Sequence, residues 1–372
     1  MNWHPRRHLH RYLLAALLSA ITSTSASGLE FAGSKSCKSC HLEIYNQYLQ
    51  TGHPHKLQRV RGAPPVYPAK TSAGVPHPPP GHSWKDISYV IGGFGWKARF
   101  MDQQGYILTG DQTQYNLSSS PHAKDAHWVA YDAGNSPRKP YTCGACHTTG
   151  WTPSGETGPH HDGLPGIHGT WVEPGVTCEA CHGPSAAHVA APTKVKPLTK
   201  ETCRSCHARG ETTTIDASGG LIKHHEQFET LLASPHSSLA CGSCHKPHRS
   251  TRYQTGGYKG EDTTCRTCHR NTQIKLKAKT GMACQTCHMP RAVKSALSTP
   301  AVYRGGTVPV GDLRTHIFSI STDPNWKMFT DDGKFVRLDD NRKAHLTVDY
   351  VCLSCHTSQD MPWARNEARR IH

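Results

Sequence analysis

Apolar side chains are scarce in this chain of 372 residues. Only 35% are hydrophobic, while 33 glycines and 26 prolines interrupt regular structure, so a conventional aliphatic interior would be thin. Long hydrophobic runs are missing as well. The main one, Tyr12 to Ile21, follows Arg6, Arg7 and Arg11 and precedes small residues from Ser23 to Gly28. It is too short for a lasting membrane helix and has the layout of a secretory signal peptide. Cleavage near Ala26 or Ser27 is expected, with no cysteine nearby to carry a lipid anchor. The expected protein is exported, periplasmic or extracellular, and not membrane-spanning. Acidic residues are in deficit, 27 against 42 lysines and arginines, for a formal charge of +15. Taken alone, that surplus suits nucleic acid or an anionic membrane.

A leftover cysteine is also missing. The 16 cysteines form eight Cys-x-x-Cys-His units: Cys37-Cys40-His41, Cys143-Cys146-His147, Cys178-Cys181-His182, Cys203-Cys206-His207, Cys241-Cys244-His245, Cys265-Cys268-His269, Cys284-Cys287-His288 and Cys352-Cys355-His356. Two thiols three positions apart, on one turn, can add to the two vinyl groups of a haem, and the next histidine then faces the iron as its proximal ligand. Zinc ribbons or a disulfide scaffold would use paired cysteines too, but neither explains a histidine after every pair. Eight covalent haems c are therefore expected. Their sixteen propionates, with the leader's arginines removed, would take the charge from +15 to roughly −4. Nucleic acid is accordingly not an expected partner. Porphyrin faces would supply the buried apolar surface that the side chains lack.

Histidine is abundant, with 28 in the chain, and a second histidine on each iron would give six-coordinate, low-potential haems suited to electron transfer. The first choices for sixth ligands are His53, His188, His236, His248 and His316, each in a short polar or loop context near a motif. His225, His122 and His168 follow, with His224, His127, His160 and His161 as rivals. For each, a surface or propionate-bonding role is the alternative. His77, His82, His345 and His372 are expected to be structural or solvated. Beyond the leader there are only Met101, Met282, Met289, Met328 and Met361, and Met289, next to His288, cannot reach the opposite face of its own haem.

Spacing divides the chain into a leader (1–27), a region with the first motif (28–140), a dense six-motif core (141–290) and a region with the last motif (291–372). Leu42 to Leu49 reads as a helix and Ala63 to Gly81 as extended loop. Ile87 to Ile91, Trp96 to Met101 and Tyr106 to Thr109 read as strands, with Asp102 to Gly105 as a hairpin turn. Residues 150–175 read as irregular loop. Helices are expected at Glu226 to Leu232, Asn271 to Lys279 and Pro362 to Arg370, and β-prone pieces at Thr315 to Ile320 and Lys334 to Leu338. The fold class expected is mostly irregular, with short α-helices and a small β-hairpin element, organised around packed haems.

Four segments carry a resemblance: Tyr141-Thr-Cys-Gly-Ala-Cys-His-Thr-Thr-Gly-Trp151, Gly175-Val-Thr-Cys-Glu-Ala-Cys-His-Gly-Pro with His188 following, Cys241-Gly-Ser-Cys-His-Lys-Pro-His248 and Cys284-Gln-Thr-Cys-His-Met-Pro290. In these the chain resembles the multihaem cytochrome c family that includes the tetrahaem electron acceptor of hydroxylamine oxidoreductase. The resemblance implies His188, His236, His248 and His316 as distal ligands, and haems in alternating parallel and perpendicular pairs. Octahaem relatives include hydroxylamine oxidoreductase and tetrathionate and nitrite reductases, as well as filament-forming cytochromes. The Cys-x-x-Cys-Lys site of pentahaem nitrite reductase is absent.

Three readings follow. One is an electron conduit between respiratory partners, such as other cytochromes or quinol-linked oxidoreductases. The second is a terminal oxidoreductase with one open iron, acting on hydroxylamine or a small nitrogen or sulfur oxyanion. The third is an oligomer or filament in which a histidine of one subunit ligates a haem of the next.

Overall fold

A computed structural model describes residues 30–117, 127–134, 138–198, 202–250, 265–273, 275 and 283–372. The fold is mixed and largely irregular. The motifs sit on single turns: Gly144–His147, Cys178–His182, Cys203–His207 and Cys284–His288 are helices of four or five residues. Cys241–Ser243 is a 3-10 turn, and Asp349–Leu353 a π turn. Helices this short do not persist on their own propensity. What they do is set both thiols and the following imidazole on one face.

Regular structure is concentrated in two antiparallel-rich sheets. The first has five strands, β1 (Leu57–Arg59), β2 (Ile87–Gly92), β3 (Lys97–Asp102), β4 (Gly110–Asn116) and β5 (His127–Tyr131), in that spatial order and all antiparallel. The turn after β3 is held by Asp102, whose carboxylate accepts from the amides of Gln104 and Tyr106, both at 2.9 Å, with Gly105 at a φ of 85° that suits glycine. The return strand does not form where alternation placed it, at Tyr106 to Thr109. Ile107 makes only isolated bridges, to Met101 and Lys139, and regular pairing starts at Gly110.

The second sheet runs β6 (Ala217–Ser218), β7 (Leu221–Lys223), β8 (Val293–Tyr303) and β9 (Gly306–Leu313). Its long β8–β9 hairpin was not anticipated, because β8 contains Pro300 and follows Pro290. Its irregularity between Val293 and Ser298 is stabilised by Asp312, whose carboxylate accepts from the amides of Ser295, Ala296 and Leu297 at 2.6–2.9 Å. The two sheets meet there: Trp96 Nε1 donates to Asp312 O at 3.3 Å and Lys97 Nζ to Ser295 O at 2.6 Å.

Among the described residues, hydrophobic packing forms three clusters. One, around Ile222, Val293, Ile317, Leu346 and Leu353, lies under the second sheet and the C-terminal region. The other two flank the first sheet, around Tyr89, Met101, Tyr141 and Trp171, and around Ile87, Val90, Phe100 and Leu117. Helices Leu42–Tyr48, Gln227–Leu232 and Met361–Ala368 fall close to their expected positions. Asn271 to Gln273 are not helical, and most of the remainder of that expected helix lies outside the described residues. Of the β-prone pieces near the end, only Ile320–Ser321 joins a strand pair, with Leu346–Thr347.

Candidate haem-binding cavity

A single cavity of about 2780 Å³ runs through the region the clusters leave unfilled. Small-molecule sites usually measure about 300–1,000 Å³, and side chains elsewhere in proteins pack without such voids. All sixteen motif cysteines and all eight histidines that follow them line it. The sixteen thiols are unbridged, and among the described residues no group of three or more His, Cys, Asp or Glu converges on a site of metal-ion size. Zinc chelation therefore has no geometric support. Paired thiols, an adjacent imidazole and a large, mostly apolar enclosure suit covalent haem.

The imidazoles give a sharper test. A metal–imidazole bond of about 2.0–2.1 Å on either side of an iron, plus roughly 1.1 Å from nitrogen to ring centre, separates two axial rings by about 6 Å. Rings in ordinary contact also span about 4.5–7 Å, so the weight falls on which rings pair: in each case a motif histidine faces a histidine from outside the motifs. Ring centroids stand 6.4 Å apart for His41 and His188, 6.1 Å for His182 and His248, 6.1 Å for His245 and His316, and 5.9 Å for His269 and His236. Several of the cavity imidazoles also have Nδ1 against a carbonyl, His147 on Lys56 O at 3.0 Å and His188 on Val195 O at 2.6 Å. That contact fixes the tautomer and leaves Nε2 free to bind metal.

Comparison with known proteins agrees. A family model for cytochrome c3 matches residues 170–256, and one for cytochrome c554 and c-prime matches residues 110–183. The chain is a multihaem c-type cytochrome. No curated protein matches its sequence significantly. Among solved structures, it is similar to the octaheme sulfite reductase MccA of Wolinella succinogenes, with a TM-score of 0.59 and 16% identity over 87% of this chain, and it spans 65% of the reductase's length. It is also similar to the outer cell wall cytochrome OcwA, with a TM-score of 0.53 and 16% identity over 90% of this chain and 86% of the other. At such identities the likeness concerns the fold.

Motifs of this cytochrome do not all neighbour one another in chain order. The side chains of Cys37 and Cys178 are in contact, and so are those of Cys146 and Cys206. Cys146 also donates to Ser205 O at 3.7 Å, and Cys206 to Ala145 O at 3.8 Å. Thr202 Oγ1 reaches Cys181 Sγ at 3.6 Å. First therefore adjoins third, and fourth adjoins both second and third. In the other half Cys265 contacts Cys284, and Cys287 lies near Cys355, so the order is sequential there.

The remaining expected ligands divide. His53 and His225 line the cavity, but among the described residues neither pairs with a ring at the 6 Å spacing. Burial pushes His53 down to about 3, with Lys56 and His207 adding to the fall, and pushes His225 down to about 3, with Lys56 and His147 adding. His122 lies outside the described residues. His168 does not line the cavity, because its backbone is fixed on the far side of Tyr141: its amide donates to Tyr141 O at 3.0 Å and its carbonyl accepts from Ser154 N at 3.1 Å. Its ring stands 6.0 Å from His160, but both His160 nitrogens already face carbonyls, of Ile167 and Glu156. His345 holds Asp339 at 3.0 Å, a structural role as expected. His372 departs from expectation: it lines the cavity, 5.7 Å from His288. Its distance in sequence from any motif hid it.

Cations gather on one side of the cavity. Lys56, Lys97 and Arg99 line it near His147, with the imidazoles of His224 and His225, kept neutral by burial, beside them. Burial pushes Lys97 down to about 8, helped by Arg99 and opposed by Asp312. Burial also lowers Lys56 and Arg99.

Proposed function

We propose that this cytochrome is an exported electron conduit carrying eight haems c, one on each motif, for transfer between respiratory partner proteins. The observation that carries it is the convergence of every motif on one cavity. Bound haem supplies a one-electron iron couple and the apolar faces that fill the space. The chain's own residues hold each cofactor through two thioethers and a proximal imidazole, namely His41, His147, His182, His207, His245, His269, His288 and His356. His188, His248, His316 and His236 are the sixth ligands opposite His41, His182, His245 and His269, as their ring spacing favours. Residues 1–27 serve as the export signal. Protein from a host with cytochrome c maturation should gain the mass of eight haems, with most irons low-spin by electron paramagnetic resonance. A colourless product, or one bearing zinc, overturns the reading.

A second reading, a terminal reductase for a small oxyanion, draws on the His147 site. Among the described residues no imidazole stands at ligand spacing from His147, and the field of Lys56, Lys97 and Arg99 favours an anion there. Nitrite or sulfite perturbing one high-spin haem signal would favour it, and a fully low-spin spectrum indifferent to both would exclude it. Partner subunits that complete a coordination sphere are consistent with the absence of a facing histidine at His147, His207 or His356 among the described residues. A monomer by light scattering with every iron six-coordinate would remove that possibility.

A further inference from the structure

We propose that His372 is the sixth ligand of the iron held by His288, and that the segment after the last motif thereby straps two haem sites together. The inference rests on the haem-binding reading above and adds to it a ligand that the motif pattern does not contain.

Hydrogen-bonding logic carries it. His288 Nδ1 faces Phe318 O at 2.8 Å, and His372 Nδ1 faces Gln273 O at 3.3 Å. A carbonyl can only accept, so each Nδ1 carries the proton and each neutral ring presents its lone pair at Nε2. The two Nε2 atoms point at each other, 3.4 Å apart. Two lone pairs face to face are repulsive unless a cation lies between them. Either a shared proton or a metal ion answers that need. The nearby thiols Cys284 and Cys287 mark it as an iron. A bis-imidazole iron needs about 4.1 Å between these nitrogens, an outward adjustment of about 0.7 Å for His372, which is exposed.

The position is built rather than incidental. Lys275 N donates to Ile371 O at 2.7 Å and Lys275 Nζ to His372 O at 3.3 Å, so residues 371 and 372 are tied to the stretch that follows the sixth motif. Upstream, helix Met361–Ala368 is N-capped by Asp360, which accepts from Trp363 N at 3.0 Å. Trp363 then lies with its ring centroid 5.0 Å from that of His356. One short segment thus touches the eighth motif's histidine through its helix and the seventh's through its end.

The test compares His372→Ala with the parent holoprotein, using His345→Ala as a control for loss of a histidine remote from the cavity. Expected for His372→Ala are one additional high-spin ferric haem by electron paramagnetic resonance, one additional equivalent of carbon monoxide bound after reduction, and a return to low spin on adding imidazole. His345→Ala should leave all three unchanged. An unaltered spectrum and carbon monoxide stoichiometry in His372→Ala, with the haem mass intact, overturns the proposal while leaving the haem reading standing. Loss of haem mass from the parent protein would instead defeat the reading beneath it. If His372→Ala fails to accumulate, His372→Met supplies the readout, since a thioether ligand raises the potential of one haem and no other.

Discussion

The sheets and the cavity obey different rules of cohesion. In the first sheet Ile87, Val90 and Phe100 are fully buried against one another, and cross-strand packing of this kind stabilises a sheet from its own residues. The motif turns have nothing comparable. They are four or five residues long, lack side-chain caps, and border a void larger than any side chain fills. One part of the chain is held by protein, whereas the other depends on a bound cofactor for its cohesion.

The largest expected effect separates the two directly. Protein made without haem attachment should keep amide protection in β2, β3 and β4 but lose it throughout the motif turns, as read by hydrogen exchange; equal protection in both would erase the distinction. Next in size, Phe100→Ala should cost about 3–5 kcal/mol of stability by denaturant titration, with the haem spectrum of the folded protein unaltered. A comparable change in that spectrum would mean the sheet and the cavity are one cooperative unit.

Glu226 gives a smaller, pH-dependent test. It is fully buried and neither carboxylate oxygen has a hydrogen-bond partner among the described residues. Burial, reinforced by Glu229, pushes it up from 4.5 to about 8. The folded state thus holds a proton that the unfolded chain releases, so its contribution is complete below about 4.5 and is lost as pH rises through about 8. Glu226→Gln should raise the melting temperature at pH 8 by about 3 °C or more, with little gain at pH 5. An equal shift at both values would mean the carboxyl is ionised throughout. Smallest is Asp360→Ala, which should cost about 1 kcal/mol through loss of a helix cap, measured by thermal denaturation.

Legibility in the sequence followed the range of the interactions. Cys-x-x-Cys-His is local chemistry, so all eight motifs were visible, as was the Asp102 turn, where one carboxylate serves amides two and four residues on. The β8–β9 hairpin was not, since its bulge is stabilised by Asp312 across the strand pair and prolines mask the pattern. Ligand choice among histidines was only partly readable. His188 and His248 lie soon after a motif, whereas His372 reaches His288 only because Lys275 and Gln273 hold the chain there. His168, a second choice in the sequence, has its backbone bonded to Tyr141 and Ser154, away from the cavity.

The crossed contacts of Cys37 with Cys178 and of Cys146 with Cys206 bear on assembly in time. If the chain is exported from its amino end, as proposed, these pairs emerge in the order first, second, third, fourth, and neither can close until the third segment has emerged. A porphyrin attached at Cys37, as proposed, would then have its site completed only after the first sheet has passed through. The early sheet, stable by its own packing, can fold during that wait.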